Sequence, residues 1–153
     1  MAGLILLAII TGCGSVGSSK NSTGNTSDNP DGVSVSVKWT VSDYVFGKVS
    51  AWGKQDADAL LFKSLDITET EINFDGRSCS DVNFAEETVK PEEYLITVWK
   101  ITPQELSIDS PELQVIKTNC GIPGFNEYMR LGTGRLIVPI KGVFFFFDPL
   151  VAY

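Results

Sequence analysis

The chain has 153 residues, and 12 Lys and Arg against 19 Asp and Glu give it a formal net charge of −7. This length predicts one domain or two small ones, and a hydrophobic content of 43% with 10% aromatic residues suffices for a packed core. The acidic balance excludes the electrostatic footprint that nucleic-acid binding needs, so we expect no nucleic-acid partner. The absence of His excludes Ser-His-Asp and Cys-His catalysis and His-ligated zinc.

The N-terminal residues predict an export signal. Leu4–Ile10 is an unbroken apolar run, too short to span a bilayer, which takes about 20 residues, but suited to the apolar region of a secretory signal. It leads into Ile10-Thr11-Gly12-Cys13. This motif of an aliphatic residue, two small residues and a cysteine resembles the lipobox of bacterial lipoproteins. The alternative is an apolar N-terminal strand that is followed by a cysteine by chance.

The lipobox resemblance implies a processed and anchored protein. It implies that residues 1–12 are a signal peptide that is removed, and that Cys13 is then lipidated. Acyl chains bind a bilayer with about 0.8 kcal/mol per buried CH₂, so several of them hold a protein on the membrane. Gly14 stands where an Asp is the usual inner-membrane retention signal of enteric lipoproteins. The resemblance therefore implies a bacterial cell envelope protein, anchored through Cys13 to the outer membrane and facing the periplasm.

Residues 13–32 predict a lipidated cysteine followed by a flexible tether. From Gly14 to Gly32, every residue except Val16 is Gly, Ser, Thr, Asn, Asp, Pro or Lys, and such a segment cannot bury enough apolar area to offset its ordering entropy. A flexible chain of about 19 residues reaches roughly 25 Å on average. We therefore expect residues 33–153 to form a single β domain that is held clear of the lipid headgroups.

The remaining residues predict many short strands. Between Val33 and Ser42, apolar and polar residues alternate with period two, which indicates a strand with one buried face. Turn signals at Asp75-Gly76, Gly132-Thr133-Gly134 and Lys141-Gly142 separate later strands. Further strands are predicted near Leu65–Ile67, Glu71–Phe74, Asp81–Phe84, Leu95–Ile101, Leu113–Asn119, Asn126–Leu131, Arg135–Ile140 and Val143–Asp148.

Helix signals are scarce by comparison. Lys54–Lys63 is the best candidate, and a second short helix is predicted to begin at Thr102. There a capping hydroxyl precedes a proline at the first helical position, and Glu105 follows three residues after the cap. Many short strands with little helix predict a mostly β fold, a small antiparallel β-barrel or sandwich with one short helix.

The three cysteines are expected to have two different roles. If Cys13 carries lipid, Cys79 and Cys120 remain as an even pair in an exported, oxidising setting, and we expect them to form a disulfide. This bond would close a loop of about 40 residues, worth on the order of 4 kcal/mol in the chain-entropy model. A reactive thiol is the alternative, but the sequence has no CxxC spacing and no His to activate one.

Aromatic side chains supply the candidate ligand-binding residues. In the run Phe144-Phe145-Phe146-Phe147, neighbouring side chains point to opposite faces of a strand, so we expect both faces to be covered. One pair could fill the barrel while the other lies under a helix such as Lys54–Lys63, or one pair could line a ligand cavity or a partner surface. The candidate ligand-binding residues are Trp39, Trp99, Phe144, Phe145, Phe146 and Phe147.

Catalytic and metal-binding patterns are absent from the sequence. Glu86-Glu87 and Glu92-Glu93 are adjacent carboxylates in polar surroundings, which indicates a solvated face rather than the paired acids of a glycosidase. Asp75-Gly76 is too sparse in acidic residues for a calcium loop. We therefore expect no enzyme activity, no cofactor and no metal.

Three fragmentary resemblances bear on function. A small barrel behind a lipid anchor, with Trp39 in its first strand, resembles the lipocalin-type lipoproteins. Ile72–Cys79 resembles a segment of META-domain lipoproteins linked to envelope stress, and Ile140-Lys141-Gly142 is a partial match to membrane-bound lysozyme inhibitors. They imply a non-enzymatic binding or envelope-maintenance lipoprotein with an apolar small ligand. The alternative is a protein-binding inhibitor or adaptor, because an acidic domain attracts cationic partners.

Overall fold

The computed structural model describes residues 36–150 of the chain. The predicted signal peptide at 1–12, Cys13 and the tether through residue 32 lie outside the described residues, as do residues 33–35 and 151–153 of the predicted β domain. Within residues 36–150 the fold is mostly β with a nine-residue helix, which confirms the predicted fold class.

Nine antiparallel strands form one curled, half-barrel sheet within residues 36–150. Their order across the sheet is β4-β3-β2-β1-β9-β8-β7-β6-β5, so β4 and β5 are its two edges. The strands are β1 (Val37–Phe46), β2 (Ser64–Ile67), β3 (Ile72–Phe74), β4 (Arg77–Cys79), β5 (Phe84–Val89), β6 (Leu113–Thr118), β7 (Glu127–Arg130), β8 (Leu136–Ile140) and β9 (Val143–Pro149).

Two of the predicted turns are two-residue hairpin loops. Asp75 and Gly76, with φ angles of 49° and 75°, connect β3 to β4, and Lys141 and Gly142, with φ angles of 53° and 85°, connect β8 to β9. Positive φ at both central residues is the requirement of the turn type that suits a right-twisted hairpin. A side chain at Gly142 would also lie 2.2 Å from the carbonyl oxygen of Val49, so only glycine fits there.

The prediction of a strand at Leu95–Ile101 is wrong. Pro91–Tyr94 form an α-helix, α2, with Pro91 at its start, and Leu95–Trp99 continue it as a π-helix. Proline and acidic residues in the first turn favour a helix, and Leu95 is the buried side chain of the continuation. The strand predicted at Asp81–Phe84 is displaced, since β5 begins at Phe84, and β4 was not predicted.

The predicted helix Lys54–Lys63 is shorter than expected. Only Lys54–Asp58 are helical, forming α1. Phe62 has a φ of 66° and donates its N–H to the Val41 carbonyl at 2.9 Å, so the chain turns back onto β1 before another helical turn forms. At Thr102 the predicted cap is present, but the helix that follows is a single 3₁₀ turn, Gln104–Leu106.

The sheet carries a hydrophobic core on each face. Phe145 and Phe147 lie in the concave core, inside the half-barrel, and Phe144 and Phe146 lie in the convex core with Leu95 of the π-helix. One Phe pair therefore fills the barrel and the other lies under a helix, as one interpretation of the sequence had it. The covering helix is Pro91–Trp99 with the 3₁₀ turn, however, and the prediction of Lys54–Lys63 as cover is wrong.

The predicted disulfide between Cys79 and Cys120 is present, with a Cα–Cα distance of 5.6 Å. Cys79 lies on edge strand β4, and Cys120 follows β6, next to the opposite edge. The bond thus links the two ends of the curled sheet. A hydrogen bond of 2.9 Å from the Val82 N–H to the Thr70 carbonyl lies near the same junction.

Candidate functional site

The structure does not bring the six candidate ligand-binding residues together. Phe144, Phe145, Phe146 and Phe147 are at most 4% exposed, and their rings are divided between the two cores. Trp99 packs edge-on against Phe144 at 5.7 Å between ring centroids, on the convex side. Of the six, Trp39 lines an open groove.

That groove, which we call the concave groove, lies at one end of the half-barrel and has a volume of about 380 Å³. Binding sites for small ligands commonly have roughly 300 to 1,000 Å³ and a mostly apolar lining. Its apolar lining consists of Val37, Trp39, Ile67, Phe84, Ile116, Tyr128 and Leu136, and its polar lining of Thr68, Glu69, Glu86 and Arg130.

Strand alternation explains which side chains face the concave groove. Val37 and Trp39 on β1 are two residues apart, as are Phe84 and Glu86 on β5 and Tyr128 and Arg130 on β7. Residues two apart on a strand share one face. The groove is bounded on one side by β5 and on the other by Ile67 at the end of β2, because the sheet does not close between its edges.

Two aromatic side chains of the concave groove are fixed by the surrounding structure. Trp39 donates its Nε1–H to the carbonyl of Gly134 at 2.9 Å and is 9% exposed. Tyr128 is 3% exposed, and burial of its hydroxyl raises its pKa to about 12. Both rings therefore present a rigid apolar wall, and the tyrosine remains neutral at physiological pH.

Charged side chains lie at the rim of the concave groove. Arg130 donates from Nη2 to both carboxylate oxygens of Glu86, at 2.8 and 2.9 Å, and from Nε to Gln114 at 2.8 Å. Glu69, on the opposite side, is exposed. The rim thus combines a held arginine with two carboxylates, an arrangement that suits an amphipathic ligand better than a purely apolar one.

A second depression, the helix groove, lies on the convex face beside the end of β5. It has a volume of about 440 Å³. Its lining residues are Thr88, Val89, Lys90, Glu93, Tyr94, Thr97 and Val98. Tyr94 donates its hydroxyl hydrogen to Glu127 and accepts a hydrogen bond from Trp99 Nε1 at 3.1 Å. Burial, together with that bond to Glu127, raises the pKa of Tyr94 well above its usual value and keeps the hydroxyl protonated.

Most of the concave groove cannot be recognised from the sequence patterns. Trp39 lies on a strand that alternation predicts and is a candidate ligand-binding residue, whereas Phe84 ends the displaced strand prediction Asp81–Phe84, and no pattern assigns a role to Ile116. The available signal was alternation within β5 and β6, where Phe84 and Ile116 occupy concave positions. Alternation alone does not reveal that the two strands face an open end of the sheet.

Two further depressions are no smaller than the concave groove. One, of about 520 Å³ beside Pro91 and Pro103, has a mostly polar lining, and the other, of about 390 Å³, lies along β2 and the β3–β4 hairpin. The cavity at the α1 end of the barrel has only about 70 Å³ and is lined by residues that include Trp52, Leu60 and Ile140. Within residues 36–150, Cys, Asp and Glu side chains form no group of three that could hold a metal ion, and none of the helices there has the length and hydropathy to cross a membrane.

No family model, curated protein or solved structure matches the chain.

Proposed function

We propose that the protein is a lipid-anchored bacterial envelope protein whose β domain binds an apolar or amphipathic small molecule without catalysing a reaction. The anchor rests on the lipobox-like sequence that ends at Cys13. Binding rests on a single observation, the concave groove of about 380 Å³ with its aromatic wall. The rest of the half-barrel interior is filled by buried side chains such as Phe145 and Phe147.

Val37, the first residue of β1, lies at the wall of the concave groove and is 43% exposed. It therefore offers a position from which the groove can be altered.

Titration with a fluorescent palmitate analogue tests the groove. The full-length protein should bind the probe and quench its tryptophan fluorescence, since Trp39 lines the groove. Val37→Trp should weaken binding at least about tenfold, equivalent to 1.4 kcal/mol, because the larger ring fills the space. Val49→Trp is the matched control, since Val49 is 87% exposed and lies outside the groove. Equal affinities for the two variants would contradict the proposal.

Metabolic labelling tests the anchor. In a bacterial host supplied with an alkyne-tagged fatty acid, the full-length chain should incorporate the label and fractionate with membranes. Cys13→Ser should remove both properties. Labelling that persists in the Cys13→Ser variant, or a wild-type protein that stays unlabelled, would contradict an anchor at this position.

A second candidate function is that of a protein-binding inhibitor or adaptor. The observation that favours it is β5, a six-residue edge strand whose central residues are exposed. An edge strand offers unpaired backbone groups to another polypeptide. Proteins of the lysozyme-inhibitor type belong to this functional class, which the acidic composition also suits.

A further inference from the structure

The outer side of β5 has the properties of a peptide-binding edge. β5 is an edge strand of the sheet, and no strand within residues 36–150 pairs with its outer side. Alternate residues of such a strand direct their N–H and C=O groups outward. We propose that an extended, basic segment of a partner protein adds a strand to β5. This inference rests on the protein-binding candidate and names the chemistry of its partner.

Side chains of an added strand would find a depression on each side of the sheet. Phe84 packs against the concave core and Val89 against the convex core, so β5 alternates between the two faces. The concave groove lies at Phe84 and Glu86, and the helix groove lies at Thr88 and Val89. Because strand side chains alternate with period two, a neighbouring strand would place successive residues toward opposite grooves.

The charged side chains around β5 indicate the kind of partner that would bind there. The carboxylates around β5 are Glu69, Glu86, Glu87, Glu93 and Glu127, and the cations are Lys90, Lys117 and Arg130. All three cations are already engaged, with Glu93, Glu87 and Glu86 at 3.4, 3.0 and 2.8 Å. The excess of carboxylates on both faces of β5 therefore favours a segment with Lys or Arg side chains.

The same charges disfavour a second copy of this chain as the occupant. In an antiparallel pair of two β5 strands about a two-fold axis at the strand centre, Glu86 of one copy would lie opposite Glu87 of the other. Like charges that face each other directly across a strand pair are destabilising. A heterologous basic segment avoids this repulsion and replaces it with attraction.

Hydrogen exchange measured by mass spectrometry tests the proposal on the full-length protein. The probe is an acetylated seven-residue peptide amide in which lysine and valine alternate. It should slow exchange across residues 84–89. Two control peptides, one with glutamate in place of lysine and one with an N-methyl group on every residue, should not. N-methylation of every residue removes the N–H donors of both peptide edges and keeps the charge, so it separates strand addition from simple attraction.

Protein variants supply the second arm of the test. Glu86→Gln with Glu87→Gln should weaken binding of the lysine peptide at least about tenfold. The matched control is Asp56→Asn with Glu71→Gln, which removes the same charge elsewhere. Asn at position 56 retains a side-chain oxygen to accept the hydrogen bond from the Gly53 N–H. This control should stay within about threefold of the wild type, a difference of less than 1 kcal/mol.

Slowed exchange with the lysine peptide alone supports strand addition. Equal slowing with the N-methylated peptide overturns it, and so does a dimer in which β5 is already protected without peptide. If the lysine peptide leaves residues 84–89 unchanged while the palmitate analogue still binds, the peptide inference fails and the proposed small-molecule site stands.

Discussion

The two edge strands of the half-barrel, β4 and β5, differ in length and in how they are held. β4 is three residues long, and Cys79 on it is bonded to Cys120, so this edge is short and covalently tied. β5 is six residues long and has a groove on each face. Exposed edges invite pairing with other chains, and proteins protect them by short strands, charges or covers. The disulfide ties β4 to the chain that follows β6, whereas no strand within residues 36–150 pairs with the outer side of β5, and β5 is therefore the edge that we propose for function.

Of the changes that test this difference between the two edges, removal of the disulfide should lower the free energy of unfolding most. The double variant Cys79→Ser and Cys120→Ser should lose about 4 kcal/mol of unfolding free energy, as expected for a loop of about 40 residues in the chain-entropy model. Urea unfolding of the exported protein measures it. A reductant should lower the wild type to the level of the variant and leave the variant unchanged. A loss below about 1 kcal/mol would mean that β4 is held without the bond.

Tyr94→Phe, in the helix that borders β5, should lower the free energy of unfolding by an intermediate amount. It leaves Glu127 and Trp99 Nε1 without their shared partner, which should cost about 1 to 2 kcal/mol of unfolding free energy. Tyr44→Phe is the matched control, because it removes a hydroxyl–carboxylate hydrogen bond to Asp58 in an exposed pair. Equal losses from the two substitutions, read from urea unfolding, would show that the Tyr94 network does not hold the helix.

Glu105→Gln should cause the smallest loss of stability, and this loss should depend on pH. Hydrogen bonds from the Thr102 backbone N–H and hydroxyl, at 2.8 and 2.9 Å, lower the pKa of Glu105 from its ordinary 4.5. Because the folded-state pKa is the lower one, the stabilisation is present above that ordinary pKa and is lost as pH falls through the folded value. The Tm difference from wild type should therefore be visible at neutral pH and shrink under strong acid. A pH-independent difference would contradict this assignment.

The sequence predicted those features that depend on local chemistry. The Asp75-Gly76 and Lys141-Gly142 turns have positive φ at both central residues, which glycine at the second position readily adopts. The alternation that begins before β1 marks a real strand with Trp39 and Val41 in the core. The cysteine pairing was also correct.

Features that depend on distant parts of the chain were not predictable. The segment Leu95–Trp99 has apolar residues suited to a strand, but it continues α2 as a helix, and Leu95 packs in the convex core. β5 is rich in Glu, and an edge strand of this kind buries no continuous apolar face. The concave groove brings together Trp39, Ile116 and Tyr128 from three different strands, which only the curvature of the sheet determines.

Native mass spectrometry of the full-length protein, released from bacterial membranes in mild detergent, tests the central claim of an open groove behind a lipid anchor most directly. We predict a chain that lacks residues 1–12 and carries covalent acyl mass, both of which Cys13→Ser abolishes. We also predict a non-covalent adduct that is present in wild type and in Val49→Trp but absent in Val37→Trp. A protein without adduct or covalent lipid, or an adduct that Val37→Trp retains, would contradict the account.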